Sequence, residues 1–425
     1  MANKNIKWGC IQPLTGGMYL GAELAIGNKA SWIISYPGLT DVKYEKDGKT
    51  IRSTGNEFNL TEYLKKVNRS VPYFTFNHGM FDNIPINEAK ISGNPDFNSM
   101  DIVVAVPVCS GLSQATIADD KTKDARNCNM KWITNYTLSV IKPKIYIFEN
   151  APGLMATKGD AVREDLEYIA EQNHYSLAYF KTDTQYHHNC QKRPRTFCIF
   201  QKWTGNTKEA PSKLNFEHAH KTPLEYLSKI PNDATQQITF NMSLMNQLLL
   251  GYIKGKFGDG WRRIFGHIPM DYIINNNLYN EFKQYIDKNH QVSPETNKIK
   301  QWIDHVEYKK SQGLNYYSTA LWFYDKNTTT PSVQFKSLQC LLHHSEDRLL
   351  TVREALWLMG MPHDFELQGN KEIDGPKIGQ NVPVGTAKFI VSEAVKIINN
   401  WDNQIREKGG KNIAFYDNIK EIKIL

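Results

Sequence analysis

The chain has 425 residues, and its 51 Lys and Arg against 44 Asp and Glu give a net charge of +7. A hydrophobic fraction of 40% and a charged fraction of 22% are those of an ordinary globular protein and exclude wholesale disorder. The length allows two or three domains with a large core, and the mild basic excess leans towards an anionic partner without requiring one.

The polar stretch from Met1 to Lys7 lacks the layout of a signal peptide, and the longest apolar run, Ile102 to Val108, is far too short to cross a bilayer. The six cysteines show no CxxC spacing and no density that suggests a disulfide scaffold. The expectation is a soluble protein without membrane attachment in a reducing cytoplasm.

In the first half, short β-rich runs alternate with helical stretches. Strands are expected at Ile6 to Ile11, Ala30 to Ser35, Tyr73 to Phe76, Asp101 to Val106, Ile145 to Phe148, Ser176 to Phe180 and Thr196 to Phe200. Helices are expected near Met18 to Ile26, Leu60 to Val67, Trp132 to Ile141 and Ala161 to Glu171. This rhythm predicts a doubly wound α/β domain with a parallel sheet, whose ligands sit beyond the carboxyl ends of the strands. From Gly205 to about Cys340 the alternation stops, and the Asn-, Lys- and aromatic-rich segment reads as a second, smaller inserted domain. The domain division is therefore 1–204, 205–345 and a return segment, 346–425, that completes the first domain. In that segment Thr351 and Glu354 predict a capping box for a helix to Met359; Gly379 to Pro383 predicts a tight turn before a helix from Thr386 to Asn399.

Three segments have residues suited to chemistry. Cys109 opens a loop of small residues just past an apolar strand; alone, it reads more readily as a packed thiol than as a reactive one. Glu149 ends a second apolar strand, Lys144 to Phe148, and faces the same crevice if the two strands are neighbours; the alternative is a carboxylate capping the next turn. Arg193 and Arg195, in Gln191-Lys-Arg-Pro-Arg195, alternate along an extended segment in a geometry suited to phosphate or to a base edge; surface basic residues are the alternative. His187-His188 with Cys190 does not suggest a metal site, because adjacent histidines cannot easily share one tetrahedral ion. His343-His344 and His218/His220 lack a partner at ligand spacing, and the remaining cysteines read as core or incidental thiols.

In order and approximate spacing these segments resemble the DNA cytosine-5 methyltransferases. Pro13 to Glu23 is similar to the family's first, cofactor-binding motif, Arg348 to Phe365 to its penultimate motif, and Ile378 to Val384 to its last. The resemblance is greatest to bacteriophage-encoded members. It implies a Rossmann-like methyltransferase domain, double-stranded DNA as partner, a monomer, and S-adenosylmethionine as cofactor. Cys109 then matches the nucleophile that adds to carbon 6 of a flipped-out cytosine, and Glu149 the residue that hydrogen-bonds ring nitrogen 3 and the exocyclic amine. Arg195 matches the residue near the cytosine carbonyl oxygen, with Arg193 as its supporting partner. Gly16, Gly17, Tyr36, Asp82, Val108, Gln380 and Asn381 fall at cofactor-binding positions. The segment from Ser110 to about Ala125 falls where a loop closes over the base, and the insert falls where the family keeps its target-recognition domain. Within the insert, Gly255 to Arg263 interleaves glycine, aromatic and basic residues as a loop contacting the nucleic-acid backbone would, and reads equally as a plain turn with solvated charges.

The cofactor motifs depart from the family pattern. Gln12 and Leu14 stand where the first motif usually has Phe and Gly, and Ser35-Tyr36-Pro37-Gly38 offers no acid for the cofactor ribose. Val108 replaces the Pro before the nucleophile, Gln380 stands where an Asn is usual in the last motif, and Ala151 replaces a Val after Glu149-Asn150. Two rival expectations follow: the same cysteine chemistry with a different one-carbon donor, and a catalytically silent DNA-binding relative.

Overall fold

The computed structural model describes residues 5–39, 42–46, 49–53, 57–108, 112, 127–212, 214, 219–222, 225, 241–264, 269–289, 296–314, 330–333, 337–343, 345–367, 371–403, 406–409 and 411–417. An eight-stranded sheet organises the chain. Its strands are β1 (Trp8–Ile11), β2 (Trp32–Ser35), β3 (Tyr73–Thr75), β4 (Ile102–Ala105), β5 (Ile145–Asn150), β6 (Tyr175–Asp183), β7 (Pro194–Lys202) and β8 (Ile413–Asp417). Their spatial order is β8-β6-β7-β5-β4-β1-β2-β3. All seven strands expected from the sequence are present, and β8, the eighth, was not expected.

Side chains alternate between two apolar layers, as the period of a strand requires. Trp8, Cys10, Ile102, Val104, Ile145, Ile147, Phe197 and Ile199 enter one layer with residues of helices α1 (Gly17–Ile26) and α2 (Phe58–Lys66). Ile11, Val103, Ala105, Tyr146, Phe148, Cys198 and Phe200 enter the other with α3 (Cys128–Tyr136) and α4 (Asp160–Gln172). Burial on both faces explains why the central strands read as continuous apolar runs. The sheet is a doubly wound α/β sheet, as expected, except in one strand. β7 runs antiparallel to both neighbours, β5 and β6. The connection between β6 and β7, residues 184–193, is too short for a crossover helix, so the chain can only turn back.

After β7 come α5 (Leu244–Phe257), α6 (Pro269–Asn275), α7 (Tyr279–Asn289) and α8 (Thr296–Ser311). Their buried residues, among them Leu249, Ile253, Phe282, Ile286 and Val306, belong to the same apolar cluster as the α1 face of the sheet. Asn275 ends α6, and Asn276 and Asn277 form the turn into α7, with Asn277 left-handed at φ 58°. The return segment forms α9 (Val352–Leu358), α10 (Lys371–Gln380) and α11 (Val384–Asn399). The capping box is present: Glu354 N donates to Thr351 Oγ1 (3.0 Å) and Thr351 N to Glu354 Oε2 (2.9 Å). The expected turn at Gly379 is corrected. Gly379 and Gln380 are the last residues of α10, and only 381–383 separate it from α11.

Helix α11 lies along α1 with no room at the crossing. A Cβ on Gly21 would stand 2.4 Å from Ala387 Cβ and 2.6 Å from Val384 O. Gly21→Ala is therefore expected to lower the unfolding free energy by about 1–3 kcal/mol despite the better helix propensity of Ala. Gly205→Ala, with nothing within 4 Å, is the neutral control, and denaturant midpoints of the two variants test the difference.

Candidate active site

The antiparallel β7 brings its first residues to the carboxyl end of β5, with Thr196 opposite Asn150 and Phe197 opposite Glu149. By strand alternation Glu149 and Arg195 share the face of Ile147 and Phe197. They meet there: Arg195 Nε lies 2.6 Å from Glu149 Oε1. Glu149 is buried, and burial raises its pKa despite the lowering influence of Arg195 and Arg193. The expected condition on the neighbouring strand holds. β4 pairs with β5 in parallel, Ala105 opposite Phe148, so the chain leaving β4 opens beside Glu149. Cys109, the expected nucleophile, and the 110–125 loop after it lie outside the described residues except for Leu112. Val108, just before Cys109, is fixed by its N–H donating to Asn129 Oδ1 (2.9 Å), and Asn129 Nδ2 donates to Met80 O (3.1 Å).

Arg193 is almost fully buried, and its guanidinium does not join the Glu149 pair. It donates to Ser332 Oγ (3.2 Å), Val333 O (3.0 Å), Gly379 O (2.6 Å) and Asn381 O (3.1 Å). That places it as the tie between β7, the 332–333 segment and the end of α10. Asn381 carries the tie onward: Gly17 N donates to its Oδ1 (2.8 Å), and its Nδ2 lies 3.1 Å from Met361 Sδ. Gln380 is exposed beside it.

The β1–α1 loop has an unusual backbone. Gln12 and Leu14 are left-handed at φ 50° and 52°, and Gly16 follows at 111°. For a non-glycine residue this region costs about 1–2 kcal/mol. Leu14 stands where the first motif usually has a glycine. A Cβ on Gly17 would lie 1.8 Å from Val382 O, so that position admits no side chain. Thr15 Oγ1 donates to Lys377 O (2.6 Å), and Gln12 N to Ile34 O (2.8 Å). Gln12 is buried, with Nε2 at 3.3 Å from Met80 Sδ and no hydrogen-bond partner for Oε1.

The neighbouring strand ends hold the other expected positions. Tyr36 is buried in an aromatic cluster with Phe76, His78 and Trp132, and its hydroxyl bonds Asn129. Asp82 is exposed and closes a turn, accepting from Gly79 N (2.7 Å). The Gly255–Arg263 stretch is not a loop: it ends α5 and continues as a 3₁₀ turn. There Arg262 packs over the buried Trp261 ring and donates to His343 O, Glu346 O and Asp347. His187 is buried with its Nε2 bonded to Thr182 Oγ1, and Cys10, Cys190, Cys198 and Cys340 are buried thiols. Among the described residues no helix is long and apolar enough to cross a membrane.

Residues 58–396 match the family of C-5 cytosine-specific DNA methylases. The chain belongs to this family. A candidate type II methyltransferase of Methanocaldococcus jannaschii, M.MJ0563P, is 39% identical over 66 residues, 16% of this chain and 21% of that protein, so the match spans about a fifth of that relative. Among solved structures, a candidate DNA modification methyltransferase encoded within an Escherichia coli prophage aligns at TM-score 0.52 and 16% identity, covering 93% of this chain and 99% of its own. The Entamoeba histolytica methyltransferase EhMeth aligns at TM-score 0.51 and 12% identity, covering 95% and 100%. These likenesses establish the Rossmann-like fold of a DNA methyltransferase.

The family match begins at residue 58, after the altered first and second motifs. At that boundary stands a residue the sequence did not flag. Glu57 is fully buried: Ser35 Oγ donates to Oε1 (2.7 Å) and Tyr73 Oη to Oε2 (2.7 Å). Burial pushes its pKa up to about 7. Asn129 and Lys377 were missed as well. Lys377 Nζ donates to Asn59 Oδ1 (2.7 Å), and burial lowers its pKa to about 8. Their one sequence signal is a polar residue within an otherwise buried helical face.

A carboxylate with a raised value binds a proton in the folded chain that the unfolded chain has released. Its stabilising effect is present below the ordinary value of 4.5 and is lost as pH rises through about 7. Denaturant midpoints between pH 5 and 8 are thus expected to fall less steeply for Glu57→Gln than for the native chain. Parallel pH profiles would contradict the buried placement.

Proposed function

We propose that the chain is a DNA (cytosine-5)-methyltransferase that takes its methyl group from S-adenosylmethionine. The observation that carries this reading is the buried Glu149–Arg195 pair at the end of β5, beside the strand that leads to Cys109. Cytosine carbon 5 is a weak nucleophile. Addition of the Cys109 thiolate to carbon 6 of a base flipped out of double-stranded DNA saturates the 5,6 bond and makes carbon 5 an enamine carbon. Glu149, held towards its protonated form by burial, hydrogen-bonds nitrogen 3 and the exocyclic amine and relieves the charge that the addition puts on the ring. Arg195 orients Glu149 and faces the carbonyl oxygen of the base. Arg193 acts at one remove, by fixing the backbone of Gly379 and Asn381 against β7. After methylation, loss of the carbon 5 proton and expulsion of the Cys109 thiolate restore the aromatic ring.

The residues fit the cofactor at its usual place beyond β1. Near the Gly16-Gly17 bend, the buried Gln12 Oε1 has no hydrogen-bond partner among the described residues and can receive a ligand's donor. S-adenosylmethionine supplies an electrophilic methyl group when bound. The 12–17 loop, Tyr36, Asp82, Val108, Gln380 and Asn381 are the residues assigned to hold it. Residues 1–204 and 346–425 form the catalytic part and 205–345 the target-recognition part of a monomer acting in the cytoplasm.

With DNA that carries 5-fluorocytosine and with S-adenosylmethionine, the fluorine on carbon 5 cannot leave as a proton does, and the native chain is expected to form a covalent complex resolved on a denaturing gel. Cys109→Ala should form none, and Glu149→Gln should slow methyl transfer by about 10²–10⁴-fold. Methyl transfer by Cys109→Ala at the native rate would overturn the mechanism. A different one-carbon donor is the second reading, favoured by Gln12 and Leu14 in the first motif. Calorimetry with S-adenosylmethionine separates the two, since that reading predicts no binding.

A further inference from the structure

The edge of the sheet opposite the Glu149–Arg195 pair holds a cleft that the proposed mechanism does not use. Its volume is 480 Å³, and Lys142, Asn173, His174, Lys202 and Trp203 are among the residues that line it. β7 ends there because it runs against β5, with Gln201 opposite Ile145. Glu149 lies further along β5, about 13 Å from Ile145 at the usual rise of a strand. Backbone hydrogen bonds fix the walls. Lys202 N donates to Lys144 O (2.9 Å), Trp203 N to His174 O (2.8 Å) and Lys142 N to Thr137 O (2.8 Å). Lys142 and His174 each follow the end of a helix in the left-handed region, at φ 55° and 63°, where glycine is the usual residue.

The cations around this cleft are of two kinds. Lys144 pairs with Asp101 (2.7 Å), Lys208 with Glu171 (2.5 Å) and Arg406 with Glu209. Lys142 and Lys202 have no carboxylate partner among the described residues, and no acidic residue lines the cleft. Burial and the charge of Lys142 both lower the pKa of Lys202. Two helices, α3 with its continuation 137–141 and α4, end here, and each terminus brings about half a negative charge. Together they offset about one ammonium and leave the other unbalanced. Positive charge held in a walled cleft attracts an anion. Phosphate suits the pair best, since its several charged oxygens can accept from two ammonium groups at once. A cleft of this volume takes a small molecule. Duplex DNA that presents a base to Glu149 meets the other edge of the sheet, so the anion here is a free one.

We propose that this cleft is a second binding site, for a small free anion bearing phosphate groups, with Lys142 and Lys202 as its charged contacts. The test is calorimetry of the full chain with pyrophosphate, at an ionic strength matched with chloride, alongside thermal unfolding. The native chain is expected to bind and to gain stability in proportion. Lys142→Gln and Lys202→Gln should each weaken binding by about 3- to 10-fold, and the double variant by more than either. Lys65→Gln, which removes the same charge from the distant α2, should bind as the native chain does. A native chain that does not bind, or a double variant that binds equally well, would overturn the proposal. An equal loss in Lys65→Gln would do so too, since net charge alone would then explain the effect. Displacement of pyrophosphate by a duplex of A and T only would overturn the assignment to a free anion. Should the half-buried Lys202 not tolerate Gln, the exposed Lys142 allows the same comparison with Lys65→Gln.

Discussion

The direction of β7 is the constraint on which the site depends. In a sheet of parallel strands, the residues that begin one strand lie at the opposite edge from those that end its neighbour. Arg195, at the start of β7, meets Glu149, at the end of β5, only because β7 runs backwards between β5 and β6. The cause is local, a β6–β7 connection too short for a crossover helix. The consequence is long-range, an arginine and a carboxylate placed together in a water-poor crevice. There each hydrogen bond counts for more than it would in water, and an uncompensated partner costs correspondingly more.

The same short connection ties the two ends of the chain together. Asn189 and Gln191 donate to Leu358 O at the end of α9, and Gln191 Oε1 accepts from Val333 N. Arg193 grips the end of α10. From there Asn381 reaches Gly17, 364 positions away in sequence. The cofactor loop, the last motif and the start of β7 are thus one hydrogen-bonded body, although none of them is near another along the chain. Truncating Arg193 would leave four neutral acceptors without this donor, and each that stays buried and unsatisfied costs about 1–3 kcal/mol.

Much of this was legible in the sequence because it rests on local rules. Apolar runs bounded by polar residues gave seven strands, and Thr351 with Glu354 gave a helix start that the capping hydrogen bonds bear out. What stayed hidden depends on partners distant in sequence. The reversal of β7 is a matter of pairing, which periodicity does not encode. β8 is half-buried and lies at a sheet edge, so its residues carry a weak apolar signal. Arg262 looked like a free cation in a glycine-rich loop, yet it is spent on carbonyls of the 343–346 segment and on Asp347. Glu57 and Asn129 look like ordinary polar residues until the strands that bury them are in place.

The two sides of the site have diverged from the family pattern in different ways, and physical chemistry accounts for the asymmetry. On the base side the proposed chemistry needs particular atoms: a thiolate, a carboxyl whose pKa burial raises, a guanidinium. In the proposed mechanism Cys109, Glu149 and Arg195 supply them. On the cofactor side a glycine-rich loop supplies a shape, backbone bent closely enough for a ligand to approach. A shape can be reached by more than one sequence, provided something outside it offsets the strain. Gln12 and Leu14 stand where the first motif usually has Phe and Gly, and both are left-handed. The front of this chain therefore departs from the motif in residue identity while it is bent sharply through 12–16.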